Sequence, residues 1–142
     1  MSAIAPLLTA IKARADGDTG AGGLFAASPL LTGWYSLLAP QEGSTLPYVV
    51  VFPVSHRRDN VFSTTAGWSD DIALQFSAYT DGAGDLTTDQ TIVDRIITRF
   101  DRWAPTVSGY TASQLIHDGS QIVQDDNNIR HHVFEFRCVL SK

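Results

Sequence analysis

The chain opens with apolar residues at the spacing of an amphipathic helix. Four of them share one stripe of such a helix: Ile4, Leu7, Leu8 and Ile11. This stripe predicts a helix over residues 3–15, with Ser2 as its N-cap. Gly17 ends the apolar pattern, and the glycine-rich sequence GDTGAGG predicts a flexible connection.

A second helical stripe lies later in the chain and is the stronger of the two. Its apolar members recur every three or four residues: Ile92, Val93, Ile96, Ile97 and Phe100. Thr87 and Gln90 have the spacing of a capping box, so the predicted helix runs over Thr87–Phe100. Pro105 prevents its continuation.

β-branched and alternating patterns predict strands between and after the helices. The densest is Tyr48–Phe52, and Pro53 after it predicts an edge or a bulge. Asp70–Tyr79 and Ile129–Leu140 alternate between apolar and polar positions, as do strands with one buried face. Two further strands are predicted over Trp34–Leu38 and Thr111–His117.

The order of these elements predicts the fold class. A helix, strands, a second helix and further strands follow one another, and the polar sequence 57–69 is interpreted as a long hairpin connection. This order favours an α+β fold with a mostly antiparallel sheet of about four to five strands and two α-helices packed on one face. A chain of 142 residues suits one domain, spanning 1–142.

The composition narrows the function classes. The net charge is −5, and the one adjacent arginine pair, Arg57–Arg58, is followed directly by Asp59. Tight nucleic-acid binding is therefore disfavoured, because it needs a basic face. A single cysteine excludes an intrachain disulfide framework. Neither a signal peptide nor an apolar run of the ~20 residues that span a bilayer is recognisable, so we expect a soluble protein made in a reducing cytoplasm, with no membrane partner.

No set of residues predicts catalysis, a cofactor or a metal site. His131 and His132 are neighbours on a predicted strand and should point to opposite faces, while His117 is expected to form a cross-strand polar pair. The segment 125–128 lacks the glycine and glutamate of a calcium loop. Cys138 shares a face with large apolar residues, so a buried thiol is predicted.

The segment LLAPQEGSTLPYVVVFPVS resembles the tail-completion or tail-terminator family of long-tailed phages. Ser2–Ala15 is similar to that family's opening helix, and Ile72–Tyr79 to the central strand that leads into the second helix, Thr87–Phe100. The closing sequence LIHDGSQIVQDDNNIRHHVFEFRCVLS is similar to its last two strands and their acidic connection. Nearly the whole chain is covered, with longer or individual connections at Gly20–Thr32 and Trp103–Gly109.

The resemblance implies a structural virion protein. Identical subunits, six being the expected number, would close into a ring on the last ring of the tail tube. The ring would stop tube polymerisation and offer a joining surface to the head-side connector. Its partners would be the major tail tube protein and the head-completion or stopper protein, with DNA only in transit through the lumen. Such a ring would be assembled in the host cytoplasm and would be located at the tail end or neck of the virion.

Two alternatives remain open from the sequence. One is a head-completion or stopper protein of the neck, because connector proteins have similar sizes and their loops decide their partners. The other is a small α+β ligand-binding or enzymatic domain, which would need a pocket with convergent polar groups.

A ring interface needs anchors outside the core. The candidates for contact with a neighbouring subunit or the tube are Arg57, Arg58, Phe62, Trp68, Tyr79 and Tyr35. For each aromatic the alternative is an ordinary role in core or loop packing. The predicted loop Arg57–Trp68 is expected to leave the domain body and reach a partner.

Overall fold

A computed structural model describes residues 3–37, 45–60, 68–124 and 128–141. Two helices and six strands lie within these ranges: α1 Ile4–Asp16, β1 Gly33–Ser36, β2 Tyr48–Asn60, β3 Trp68–Asp81, α2 Leu86–Phe100, β4 Thr111–Ala112, β5 Ile116–Gln124 and β6 Ile129–Ser141. The α+β class predicted from the sequence is confirmed.

The strands form one sheet in the order β1-β2-β3-β6, and both β4 and β5 pair with the far side of β6. Every pairing is antiparallel except the first. Gly33 lies opposite Tyr48 and Ser36 opposite Val51, so β1 runs parallel to β2. The predicted sheet of four to five mostly antiparallel strands is therefore a mixed sheet of six described strands. A connection longer than a tight turn permits the parallel pair.

Both helices pack on one face of this sheet, as predicted. That face, here called the core face, carries Phe76 of β3 and Phe134 and Phe136 of β6, all fully buried. Trp34 from β1 stacks on Phe100 of α2 with ring centroids 5.3 Å apart. Phe76 meets both rings edge-on, at 5.6 and 5.2 Å. This aromatic cluster joins α2 to the sheet.

The long hairpin connection predicted over 57–69 is wrong in extent. β2 continues to Asn60 and β3 begins at Trp68, so only 61–67 lie between them, outside the described residues. A bulge between Pro53 and Ser55 interrupts the ladder, as Pro53 predicted. Opposite charges across the ladder support these polar strand ends, because Arg57 faces Asp71 and Arg58 faces Asp70.

Two other boundaries differ from the sequence prediction. Asp85, and not Thr87, is the N-cap of α2: its carboxylate accepts a hydrogen bond from the Thr87 backbone N–H at 2.9 Å. The strand predicted at Thr111–His117 is interrupted after Ala112, and β5 then continues through the polar sequence to Gln124. Ser2, the predicted N-cap of α1, lies outside the described residues.

The glycine-rich segment after α1 is anchored by a buried carboxylate. Asp18 accepts a hydrogen bond from the Leu24 backbone N–H at 2.9 Å and forms an ion pair with Arg95 of α2. Close by, Arg14 donates to the Arg99 carbonyl at 3.1 Å, and Arg99 donates back to the Arg14 carbonyl. The segment therefore fastens α1 to α2, whereas the sequence predicted a flexible breaker.

We expect Phe100→Ala to lower the free energy of unfolding by about 3–5 kcal/mol, because it opens a cavity between Trp34 and Phe76. Leu86→Ala, at an exposed position of the same helix, should change it by less than about 0.5 kcal/mol. Urea unfolding monitored by circular dichroism measures both. Equal losses in the two variants would contradict this account of the core.

Candidate functional site

A row of side chains crosses the face of the sheet opposite the helices, here called the outer face. Tyr48, Tyr79, His131 and Val123 lie directly opposite one another on β2, β3, β6 and β5. The rings of Tyr48 and Tyr79 stack with centroids 5.1 Å apart, and those of Tyr79 and His131 at 4.4 Å. Together with Tyr35 of β1 these residues form what is called below the tyrosine row.

Gly33 allows Tyr35 to join this row. Gly33 is the residue opposite Tyr48, but it has no side chain. A Cβ placed there would lie 2.5 Å from the Tyr35 hydroxyl oxygen and 2.7 Å from its Cζ, so the ring of Tyr35 folds over Gly33. The ring then meets Tyr48 edge-on at 5.9 Å. The row thus extends across five strands, from β1 to β5.

Among the described residues, the outer face carries a continuous row of partly exposed aromatic side chains. The buried stripes of both helices point into the core face, and Tyr35, Tyr48 and Tyr79 are each partly exposed. An open sheet face usually carries polar residues. Large aromatic side chains held rigidly on such a face are typical anchors of protein–protein interfaces.

Two predicted interface residues, Tyr35 and Tyr79, are therefore brought together by the structure. Tyr48, which lies between them, and His131, which stacks on the far side of Tyr79, were not predicted. The signal for Tyr48 was its place at the start of the densest strand, yet that pattern does not reveal which face the side chain occupies.

The predicted arginines take different positions in the sheet. Arg57 is exposed on the outer face, opposite Asp71. Arg58 points to the core face and binds Asp70, with Nε to Oδ1 at 2.9 Å, while His56 contacts the same oxygen at 3.0 Å. The hydrogen bond from Arg58 lowers the pKa of the buried Asp70 carboxyl. Arg58 therefore supports the fold at this place.

The remaining two candidates are less well defined. Phe62 lies outside the described residues, and Trp68 is described only as the first residue of β3. The loop Arg57–Trp68, expected to leave the domain body, lies in the sheet at both of its ends. All six residues stay predictions as contacts with a partner.

A second buried carboxylate connects α2 to two strands. Oδ2 of Asp89 accepts a hydrogen bond from the Thr80 hydroxyl at 2.8 Å and one from Nε of Arg130 at 2.6 Å. His132 Nε2 lies 2.9 Å from the same oxygen. Burial raises the pKa of Asp89, but the hydrogen bonds from His132, Arg130 and Thr80 outweigh burial, and the pKa ends below its usual value.

This cluster contains a hydroxyl, a carboxylate and an imidazole, but not in a catalytic arrangement. A nucleophile needs its hydroxyl to contact a base that can take its proton. Here the Thr80 hydroxyl and the His132 ring both face Asp89. The cavity beside Thr80 and Asp89, about 210 Å³, is smaller than ordinary small-molecule sites, and the cavity of about 450 Å³ beside His132 is not lined by Thr80 or Asp89. The geometry joins α2, β3 and β6.

The other residues considered for chemistry are also placed. His131 and His132 lie on opposite faces, as predicted, and His117 faces Phe136 instead of another histidine. Within the described ranges, no group of three or more His, Cys, Asp or Glu side chains could hold a metal ion. Cys138 is buried, as predicted, and burial raises the pKa of its thiol.

An apolar groove of about 720 Å³ runs between α1 and the end of β1. Leu8 lies in its wall, and Leu37, 60% exposed, stands beside it. Lys12 and Asp16 form an ion pair at 3.0 Å along the same side of α1. These two charged side chains line the groove but are paired with each other, and most of the groove surface is apolar. Its surface suits apolar side chains of another protein.

No helix of the described residues is long and apolar enough to cross a bilayer.

Comparison with solved structures shows likenesses in fold. No protein-family model and no curated protein matches this chain. A chain from the virion of a native gene transfer agent particle is similar in structure, with a TM-score of 0.61 and 17% sequence identity. The alignment covers 98% of this chain and 96% of that chain. At this identity the likeness shows a shared fold, and it extends over the whole architecture described above.

We expect Arg130→Met to lower the free energy of unfolding by about 3–5 kcal/mol, because Asp89 would remain buried without its arginine. Arg137→Met on the same strand is the matched control, since Arg137 is 53% exposed and its ion pair with Asp118, at 3.4 Å, is also exposed. The control should lose less than about 1 kcal/mol. Urea unfolding at neutral pH compares them, and similar losses would contradict the role given to Asp89.

We also expect the free energy of unfolding to fall as the pH is lowered. The pKa values of Asp18, Asp70 and Asp89 are depressed in the folded state. The three carboxylates therefore stabilise the fold fully above the pKa of an aspartate in the unfolded chain, about 3.9. This stabilisation is lost as the pH falls from there through their pKa values in the folded state. In the variant Asp18→Asn, the free energy of unfolding should fall less steeply as the pH is lowered. Asp16→Asn, at a half-exposed position, should keep the wild-type steepness in urea titrations between about pH 2 and pH 6.

Proposed function

We propose that this chain is a structural protein of a phage-like virion and not an enzyme. It forms a closed ring, with six subunits expected, at the end of the tail tube. The ring stops tube polymerisation and provides the joining surface for the head-side connector. Its partners are other copies of itself, the major tail tube protein and the head-completion protein.

The observation that carries this proposal is the full-length likeness to a chain of a gene transfer agent virion. Both chains are covered almost completely, so the comparison involves the whole fold and not one shared motif. That likeness is to a chain of the particle and gives no position within it. The tail-end position therefore depends on the resemblance of LPYVVV and the element order to tail-terminator proteins.

The tyrosine row is consistent with a subunit that functions by association. A closed ring needs a heterologous interface, in which two different patches of one subunit meet repeatedly. The outer face offers rigid aromatic side chains that no described helix covers. The acidic balance, −5 overall, also suits a channel for DNA, because a negative lumen repels phosphate and lets the genome pass.

We expect the purified protein to form closed rings, on its own or on the ends of polymerised tail tubes. Analytical ultracentrifugation measures the assembly, and negative-stain electron microscopy locates it on the tubes. Adding the protein to polymerising tube subunits should shorten the tubes in a concentration-dependent way. A protein that stays monomeric and never associates with tube ends would contradict the proposal.

Particles lacking this protein distinguish the tail end from the neck. Loss of a tail terminator leaves tails of abnormal length, whereas loss of a stopper leaves filled heads that leak DNA. Abnormally long tails are the expected result. Leaking heads with tails of normal length would place the protein in the neck instead.

A further inference from the structure

The tyrosine row runs from one edge of the sheet to the other. Tyr35 forms its end at β1, and Val123 forms its end at β5. The two ends are four strand spacings apart, roughly 19 Å. One subunit therefore displays the two ends of the same row on opposite sides.

Both ends carry exposed aliphatic side chains. At the β5 edge Ile122 and Val123 are 59% and 43% exposed at neighbouring positions of an outermost strand. At the β1 edge Leu37, 60% exposed, borders the apolar groove of about 720 Å³ along α1. Each edge thus offers apolar side chains to a partner, and the β1 edge also offers a groove.

We propose that the β5 edge of one subunit packs against the α1–β1 edge of the next. Val123 then continues the tyrosine row of its own subunit into Tyr35 of the neighbour, while Ile122 enters the groove beside Leu37. The rows of successive subunits join into a continuous belt. This assignment rests on the ring proposed above and identifies the surfaces that form it.

The occupant is a second copy of this chain for two physical reasons. A ring closes only when two unlike patches lie on different sides of the same subunit, and the two edges satisfy this condition. The chain carries a net charge of −5, so copies repel one another. The four side chains assigned to the contact, Tyr35, Leu37, Ile122 and Val123, carry no formal charge. The two charged side chains that line the groove, Lys12 and Asp16, neutralise each other in an ion pair.

The first test places a charge at one end of the row. Val123→Lys should raise the concentration at which rings form by about tenfold or more, because a lysine would enter an apolar contact. Val139→Lys is the matched control: Val139 is 41% exposed on the outer face of β6, opposite Asp71 and away from the row. It should assemble like the wild type. Sedimentation over a concentration series measures both variants, and unfolding in urea checks that both remain folded.

The second test uses the close fit of Tyr35 over Gly33. The three atoms nearest to a Cβ at Gly33 all belong to the ring end of the Tyr35 side chain, so in Gly33→Ala the fold should persist while the ring leaves the row. Assembly should weaken. In a Tyr35→Ala background the same substitution should have no further effect, because the two changes act on one contact. Additive effects of the two substitutions would contradict the role assigned to Tyr35.

Cross-linking distinguishes a head-to-tail contact from a two-fold one. With a short bis-maleimide, the double variant Leu37→Cys, Val123→Cys should give a ladder up to the closed ring. The spacing within one subunit, roughly 19 Å across the sheet, prevents an internal link. Each single variant should stay uncross-linked, because a heterologous contact does not bring identical residues together. Cys138 is buried and present in all variants.

The outcomes separate this inference from the function on which it depends. Normal rings in Val123→Lys, or no ladder from the double variant, would overturn the assigned edges while the ring proposal stands. Dimers from a single-cysteine variant would also overturn it, by showing a two-fold contact. A wild-type protein that forms no ring, either alone or on tube ends, would overturn the proposed function and this inference with it.

Discussion

The constraint on which this architecture depends is that two helices cover only one face of a six-stranded sheet. α1 and α2 bury the core face around Trp34, Phe76 and Phe100. A sheet face without such a cover is ordinarily polar, because exposed apolar area gains nothing in a monomer. Here the uncovered face carries stacked tyrosines instead. Among the described residues, the same division of the sheet that completes the core therefore leaves a partly exposed aromatic surface, which a partner molecule can bury.

Three buried aspartates fix how the layers meet, and each is paired with an arginine. Asp18 pairs with Arg95 and ties the segment after α1 to α2. Asp70 pairs with Arg58 across the β2–β3 hairpin, and Asp89 with Arg130 between α2 and β6. Desolvation offsets much of the attraction in such pairs, so their net contribution to stability is small. A shifted register would leave a buried carboxylate without its partner. We infer that the three pairs chiefly select one arrangement of the helices and strands.

Local patterns in the sequence predict the helices and the inward faces well, but not the pairings between distant residues. Alternation placed His132, Phe134 and Cys138 together, and their burial agrees. The strand ends around Arg58 were interpreted as a loop because their own sequence is polar. They are held in the sheet by a pairing with Asp70 on the facing strand, which the local pattern does not reveal. The parallel direction of β1 is likewise a property of its pairing and not of its own residues. Two of the five members of the tyrosine row, Tyr35 and Tyr79, were predicted. The contribution of Gly33 depends on a ring folding back over it, which no sequence period reveals.

A closed ring needs two edges that bind each other and a fixed angle between these edges within the subunit. A small change in that angle would give an open helical assembly instead of a ring. The angle in this subunit is set by the path from β1 to β5 across the sheet. The tyrosine row follows that path along hydrogen-bonded strands, and stacked rings at 4.4 to 5.1 Å leave its central members little freedom. At the β5 end Asp89 joins β6 to α2, and at the other end Lys12 of α1 donates to the Trp34 carbonyl of β1 at 3.2 Å. The contacts that fix the fold thus also fix the relative orientation of its two edges. For the ring proposed above, this rigidity matters more than a pocket.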